Sequence, residues 1–222
     1  MRSGSALTAV WLAAARDRTQ RLAGRMHRTG VCMVKAVGFA SSGRMGGNST
    51  TLLKVFLEGA ADAGAETRLV PLGPLTYRGC LGCLNCMKTG QCAQQDDITP
   101  LYPLLREARV WALASPIYFD GVSGVLKSFY DRLYPFTHAL GKLEGRRAGA
   151  ILVCYEETGR DDYRDVAQRL AGYLTWMGSF TTEVMAEGGL GPVGAVNARP
   201  ELLKRAREMG RRMVEAVLGE GE

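Results

Sequence analysis

Histidine is almost missing from this chain of 222 residues: there are two, His27 and His138. Neither has sequence neighbours that suggest metal ligation or acid–base work, so structural roles are expected for both. No Ser-His-Asp order is present, which argues against a hydrolase. The lysine that follows the glycines of a Walker loop is absent, and so is the G-x-G-x-x-G dinucleotide fingerprint. The apolar run at 6–15 lies between arginines and is too short to span a bilayer, so no membrane association is expected. A basic stripe is lacking too. Residues 1–32 hold six arginines and one acid (+5), while the remainder has 22 basic and 21 acidic residues (+1). The formal charge of +6 therefore does not point to nucleic acid.

What is present reads as one soluble α/β domain, with 46% hydrophobic and 23% charged residues. Residues 1–32 are expected to be an N-terminal extension, disordered or the product of an upstream start codon, because Met33 opens the first strand-like segment. Residues 33–222 then form the domain, without internal repeat or linker. A cytoplasmic location is expected, since it suits reduced thiols.

Strand-like segments at 34–40, 66–71, 109–114, 148–154 and 181–186 alternate with helical patterns at 49–63, 97–108, 122–140, 162–177 and 200–218. That alternation predicts a doubly wound, five-stranded parallel sheet with helices on both faces. Trp111 and Trp176 are expected in the core. One long loop, 72–96, interrupts the rhythm, and long loops in compact domains are usually functional.

Cys80, Cys83, Cys86 and Cys92 fall within this loop. Two-residue gaps let a tight loop aim thiolates at a common centre, and four soft sulfur donors suit an iron–sulfur cluster or zinc. Gly82 and Gly90 would help such a winding by adopting positive φ. Disulfides or inert thiols are the plain alternatives, the former requiring an oxidising compartment. Cys32 and Cys154 lie outside the motif and are expected to be incidental.

The first strand runs into Ser41-Ser42-Gly43-Arg44-Met45-Gly46-Gly47-Asn48-Ser49-Thr50 and then a helix. Convergent N–H donors, short polar side chains and Arg44 suit a mononucleotide phosphate there. The alternative is a strand–helix turn in which Ser or Asn caps the helix. After the third strand, Pro116-Ile117-Tyr118-Phe119 offers amides and aromatic walls for a flat ring. Tyr155 and Glu156 follow the fourth strand on the same sheet edge, where ligands of open α/β sheets bind.

Taken together, these segments resemble the iron–sulfur flavoproteins, a branch of the flavodoxin-like NAD(P)H-dependent FMN reductases. The family pattern S-x-R-x-x-G-N-[ST] is matched by Ser42 through Ser49, although Gly43 stands where proline is common. The compact cysteine motif is matched by Cys80, Cys83, Cys86 and Cys92, followed by the acidic pair Asp96-Asp97. The flavin loop P-x-Y-[FW] and K-x-F-x-D-R are matched by Pro116 to Phe119 and Lys127 to Arg132. The resemblance implies a flavodoxin-like fold with a cysteine-rich insertion. It implies FMN held by Ser42, Arg44, Gly47, Asn48, Ser49, Thr50, Pro116, Ile117, Tyr118, Phe119, Tyr155 and Glu156, and a [4Fe–4S] cluster on the four cysteines. It further implies an oxidoreductase with a ferredoxin-type or NAD(P)H donor, a small-molecule acceptor, and a homodimer or homotetramer. Two other readings stay open: a cluster-free NAD(P)H-dependent FMN or quinone reductase, and a non-enzymatic zinc or thiol redox-sensing module.

Overall fold

Small and large residues alternate along the central strands, and this alternation organises both layers of the protein. The computed structural model describes residues 33–44, 46–158 and 162–219; the expected N-terminal extension, Cys32 and His27 lie outside them. The elements are β1 (Lys35–Ala40), α1 (Asn48–Asp62), β2 (Glu66–Pro71), α2 (Asn85–Thr89), α3 (Leu101–Glu107), β3 (Val110–Tyr118), β4 (Gly121–Val122), α4 (Gly124–Asp131), β5 (Arg146–Cys154), α5 (Asp162–Leu174), β6 (Ser179–Glu187) and α6 (Pro200–Leu218). Five parallel strands run in the order β2-β1-β3-β5-β6, as expected, and the two-residue β4 adds a sixth, antiparallel to β3.

On one face the strands present mostly small side chains, among them Ala36, Ala40, Ala112, Ala114, Ala148 and Ala150, to α1 and α6. On the other face Phe39, Trp111, Leu113 and Ile151 meet α3, α4 and α5. Successive strand residues point to opposite faces, so each strand contributes to two separate cores. Trp111 is fully buried as expected, but Trp176 is 61% exposed and packs edge-on against Tyr173 at the surface.

Several expected boundaries move. The helix expected at 97–108 begins only at Leu101, because Asp96 turns the chain first, its side chain accepting from the Ile98 N–H. The helix expected at 122–140 ends at Asp131, and a single 3-10 turn, Tyr134–Thr137, follows with Pro135 lacking a donor to continue it. The third strand extends to Tyr118, so Pro116 and Ile117 lie in β3 rather than in a loop. Phe119 and Asp120 alone make the turn into β4, both at positive φ (49° and 60°), the two-residue hairpin that matches strand twist.

Candidate functional site

The strand order reverses direction of winding between β1 and β3, and the loops leaving their carboxyl ends meet there. A buried run of hydroxyls joins them. Ser123 Oγ donates to Ser41 Oγ (2.9 Å), Ser41 Oγ donates to the Ala114 carbonyl (3.0 Å), and the Ser123 N–H donates to Ser115 Oγ (2.9 Å). Ser123 Oγ also accepts from the Leu126 N–H, capping α4. These three serines were not among the expected site residues; their signal in sequence is only a serine just after β1, one within β3 and one just after β4.

The turn between β1 and α1 closes tightly on itself. Ser42 Oγ accepts from the Arg44 N–H (3.2 Å), and the Gly47 N–H donates to the Arg44 carbonyl (3.1 Å). A Cβ at Gly47 would lie 2.4 Å from Ser42 Oγ, so a larger residue here would displace the Ser42 side chain from the turn. Helix α1 is 15 residues long, with no side-chain cap and no acid in its first turn. The N–H groups of Asn48, Ser49 and Thr50 thus open an uncapped helix end, the arrangement that receives a phosphate. The site residues fit that group through their main chain. The Asn48 side chain is otherwise engaged: its amide donates to the carbonyls of Leu190 (2.7 Å) and Pro192 (2.8 Å), and its oxygen accepts from the Val196 N–H (3.2 Å). Arg44, exposed, donates to the Gly191 carbonyl (2.9 Å).

Both side chains therefore hold the segment 188–199, which sequence reasoning passed over. Its signal was available as the glycine-rich stretch Gly188-Gly189-Leu190-Gly191-Pro192-Val193-Gly194. The same segment continues the pairing of β5 with β6, since Leu190 and Gly189 N–H donate to the carbonyls of Tyr155 and Glu157. Tyr155 is buried, its ring edge-on to Tyr163, while Glu156 is exposed and lies against Gly191. Across the edge, Tyr118 is half exposed and Phe119 fully so. The glycine-rich turn after β1, the hairpin tip and the turn after β5 thus occupy one sheet edge.

The cysteine segment leaves the same edge after β2. Gly82 (φ 64°) and Gly90 (φ 70°) adopt the expected left-handed backbone, joined by Leu84 (φ 57°), and between them the chain forms the single helical turn of α2. Cys80 and Cys83 are exposed, Cys92 is half-buried and Cys86 is buried. All four line one small pocket, open to solvent, together with Asp131, Arg132, Tyr134 and Pro135. Among the described residues, no three His, Cys, Asp or Glu side chains are placed as a set that could hold a metal ion. Burial pushes the Cys86 thiol up, and the neighbouring thiols of Cys80, Cys92 and Cys83 push in the same direction. A cation among these sulfurs would relieve that repulsion.

Arg132, the residue that ends α4, braces this loop. It is fully buried, and its guanidinium donates to both oxygens of Asp96 (2.5 and 3.1 Å) and to the Arg78 carbonyl (3.0 Å). Burial opposes ionisation of Asp96, but the bonds from Arg132 and the Ile98 N–H outweigh it and hold the carboxyl below its ordinary range. The remaining donor of Arg132, Nε, is buried with no acceptor among the described residues, a condition that costs about 1–3 kcal/mol. Asp97 accepts from the Thr76 N–H (2.7 Å), and Lys127 pairs with Asp131 one turn along α4.

A family model described as NADPH-dependent FMN reductase matches residues 34–184. An iron–sulfur flavoprotein of Archaeoglobus fulgidus is 31% identical over 191 residues, covering 82% of this chain and 80% of that one. Among solved structures, an NAD(P)H:quinone oxidoreductase from Methanothermobacter marburgensis superposes with a TM-score of 0.59 at 21% identity, over 83% of this chain and 98% of that one. An archaeal flavodoxin superposes with a TM-score of 0.53 at 14% identity, over 84% and 100% of the two chains. These two show the shared flavodoxin-like fold. The chain belongs to the NADPH-dependent FMN reductase family, in its iron–sulfur flavoprotein branch, and is a flavin-dependent oxidoreductase. Among the described residues no helix is long and apolar enough to cross a membrane.

Proposed function

We propose that this protein passes electrons one at a time between a low-potential donor, a [4Fe–4S] cluster and FMN, and on to a small acceptor. The observation that carries the cluster is that Cys80, Cys83, Cys86 and Cys92 all border one pocket, with soft donors suited to iron and sulfide. The FMN phosphate is received by the N–H groups of Asn48, Ser49 and Thr50, with Ser42 and Gly47 shaping the turn and Arg44 supplying charge. Pro116, Ile117, Tyr118 and Phe119 wall one side of the ring, Tyr155 and Glu156 the other. When bound, the flavin supplies hydride or electron acceptance and the cluster supplies one-electron exchange. The protein's own contribution is to hold both groups and govern access to them.

The donor in this reading is a ferredoxin-type protein or NAD(P)H, the acceptor is a small molecule such as oxygen, peroxide or a quinone, and the protein works in the cytoplasm as a homodimer or homotetramer. Support for the donor and acceptor is the relationship to the family alone. A cluster-free FMN or quinone reductase is the second reading, favoured by the absence, among the described residues, of three side chains placed to hold a metal ion. Anaerobic reconstitution followed by absorption spectroscopy and iron and sulfide analysis tests both. Four irons and four sulfides per chain with a broad shoulder near the flavin bands support the first reading. Flavin bands alone support the second, and a colourless zinc protein would defeat both.

A further inference from the structure

We infer that Tyr163 is a positioning residue of the flavin site: its hydroxyl, bonded to Asp120, holds the tip of the β3–β4 hairpin to α5 and so sets the gap between the two loops that wall the ring. The inference rests on the FMN reading above. The hairpin turn is Phe119-Asp120, and both residues adopt the left-handed backbone (φ 49° and 60°). Two-residue turns of this kind favour Asn-Gly or Gly-Gly, and a bulky residue at positive φ persists only where surrounding contacts hold it. The hairpin is held at both ends. At its foot, Ser123 Oγ donates to Ser41 Oγ and the Ser123 N–H donates to Ser115 Oγ. At its tip, the Tyr163 hydroxyl donates to Asp120 Oδ1 (2.5 Å). Tyr163 is buried in the first turn of α5, its ring edge-on to that of Tyr155 with 4.7 Å between centroids. Tyr155 is fixed in turn by its main chain: its N–H donates to the Glu187 carbonyl and its carbonyl accepts from the Leu190 N–H. One exposed carboxylate and one buried phenol thus join the hairpin tip to the turn after β5, the two segments that stand on either side of the ring. Fixing a loop in its binding conformation before the ligand arrives raises affinity, because less order has to be imposed on binding. The bond lies away from the glycine-rich turn, so its effect falls on the ring and not on the phosphate.

The test is a double-mutant cycle on Tyr163→Phe and Asp120→Ala, with Asp120→Asn as the conservative variant that keeps an acceptor oxygen. Apoprotein is titrated with FMN and with riboflavin, and the visible circular dichroism of the bound flavin reports the surroundings of the ring. Tyr163→Phe is expected to weaken both flavins by the same factor, about tenfold, the scale of one hydrogen bond to a charged group, and to change the visible dichroism. Asp120→Ala is expected to do the same, the double variant to bind no more weakly than either single one, and Asp120→Asn to keep parental affinity and dichroism. Parental affinity and dichroism in Tyr163→Phe, even with a lowered melting temperature, overturn the inference and leave the bond as a brace of the fold. Additive losses in the double variant overturn it too, because the two side chains then act separately. Should Tyr163→Phe fail to fold, the exposed Asp120 still decides: equal behaviour of Asp120→Ala and Asp120→Asn overturns the inference. A parent protein that binds neither flavin defeats the FMN reading itself, whereas parental binding in every variant defeats this inference alone.

Discussion

Gly59 of α1 and Gly210 of α6 bring the two helices on the small-residue face of the sheet into backbone contact. A Cβ on Gly59 would lie 1.9 Å from the Arg207 carbonyl oxygen, and one on Gly210 would lie 2.0 Å from the Phe56 carbonyl oxygen. Helix α1 begins at the glycine-rich turn, so the same contact that secures the core also fixes the helix end at the proposed flavin site. Gly59→Ala is expected to destabilise the protein by about 2–3 kcal/mol, the scale of overpacking, despite alanine's better helix propensity. Urea unfolding reads the difference, and an unchanged or raised midpoint would show that the helices separate freely.

Arg44 and Asn48 are expected to part company on substitution. Arg44→Ala removes a charge from the turn and should weaken FMN about ten- to a hundred-fold, the scale of one charge-assisted hydrogen bond, while narrowing the preference of FMN over riboflavin. Asn48→Ala releases the segment 188–199 by removing three side-chain bonds. It should lower the melting temperature and weaken FMN and riboflavin alike. Calorimetric titration of the apoprotein with both flavins decides, and a phosphate-selective loss in Asn48→Ala would make its side chain a ligand instead.

Cys83 is exposed and is one of the residues that line the cysteine pocket. Cys83→Ala is expected to lose most iron and sulfide after anaerobic reconstitution while retaining FMN at parental affinity. Full iron content in this variant would remove Cys83 from the ligand set.

Asp62 closes α1 on α6. Hydrogen bonds first from Arg207 and then from Arg211 lower its carboxyl from the ordinary 3.8 to about 2. A depressed carboxylate stabilises the folded state above pH 4 and loses that contribution as pH falls through 4 toward 2. Asp62→Asn is therefore expected to flatten the pH dependence of thermal stability in that window without changing its form above pH 5. Parallel melting curves for parent and variant between pH 4 and pH 2 would count against the assignment.

The sequence by itself determined the alternation of strand and helix and the two chemical segments, because each is written in residues close along the chain. Period-two strands set the parallel sheet, glycines at 82 and 90 turned as their missing Cβ allows, and the spacing of the four cysteines brought them to one pocket. What it left open depends on groups far apart in sequence. The fate of Asn48 was decided by carbonyls at 190 and 192, which reach it only because β6 lies at the end of a sheet whose order reverses at β1 and β3. The link from Ser123 to Ser41 spans 82 residues, and that from Arg132 to Asp96 spans 36. A polar side chain carries no mark of its eventual partner. Only burial, which makes an unpaired donor costly, selects among the many that sequence allows.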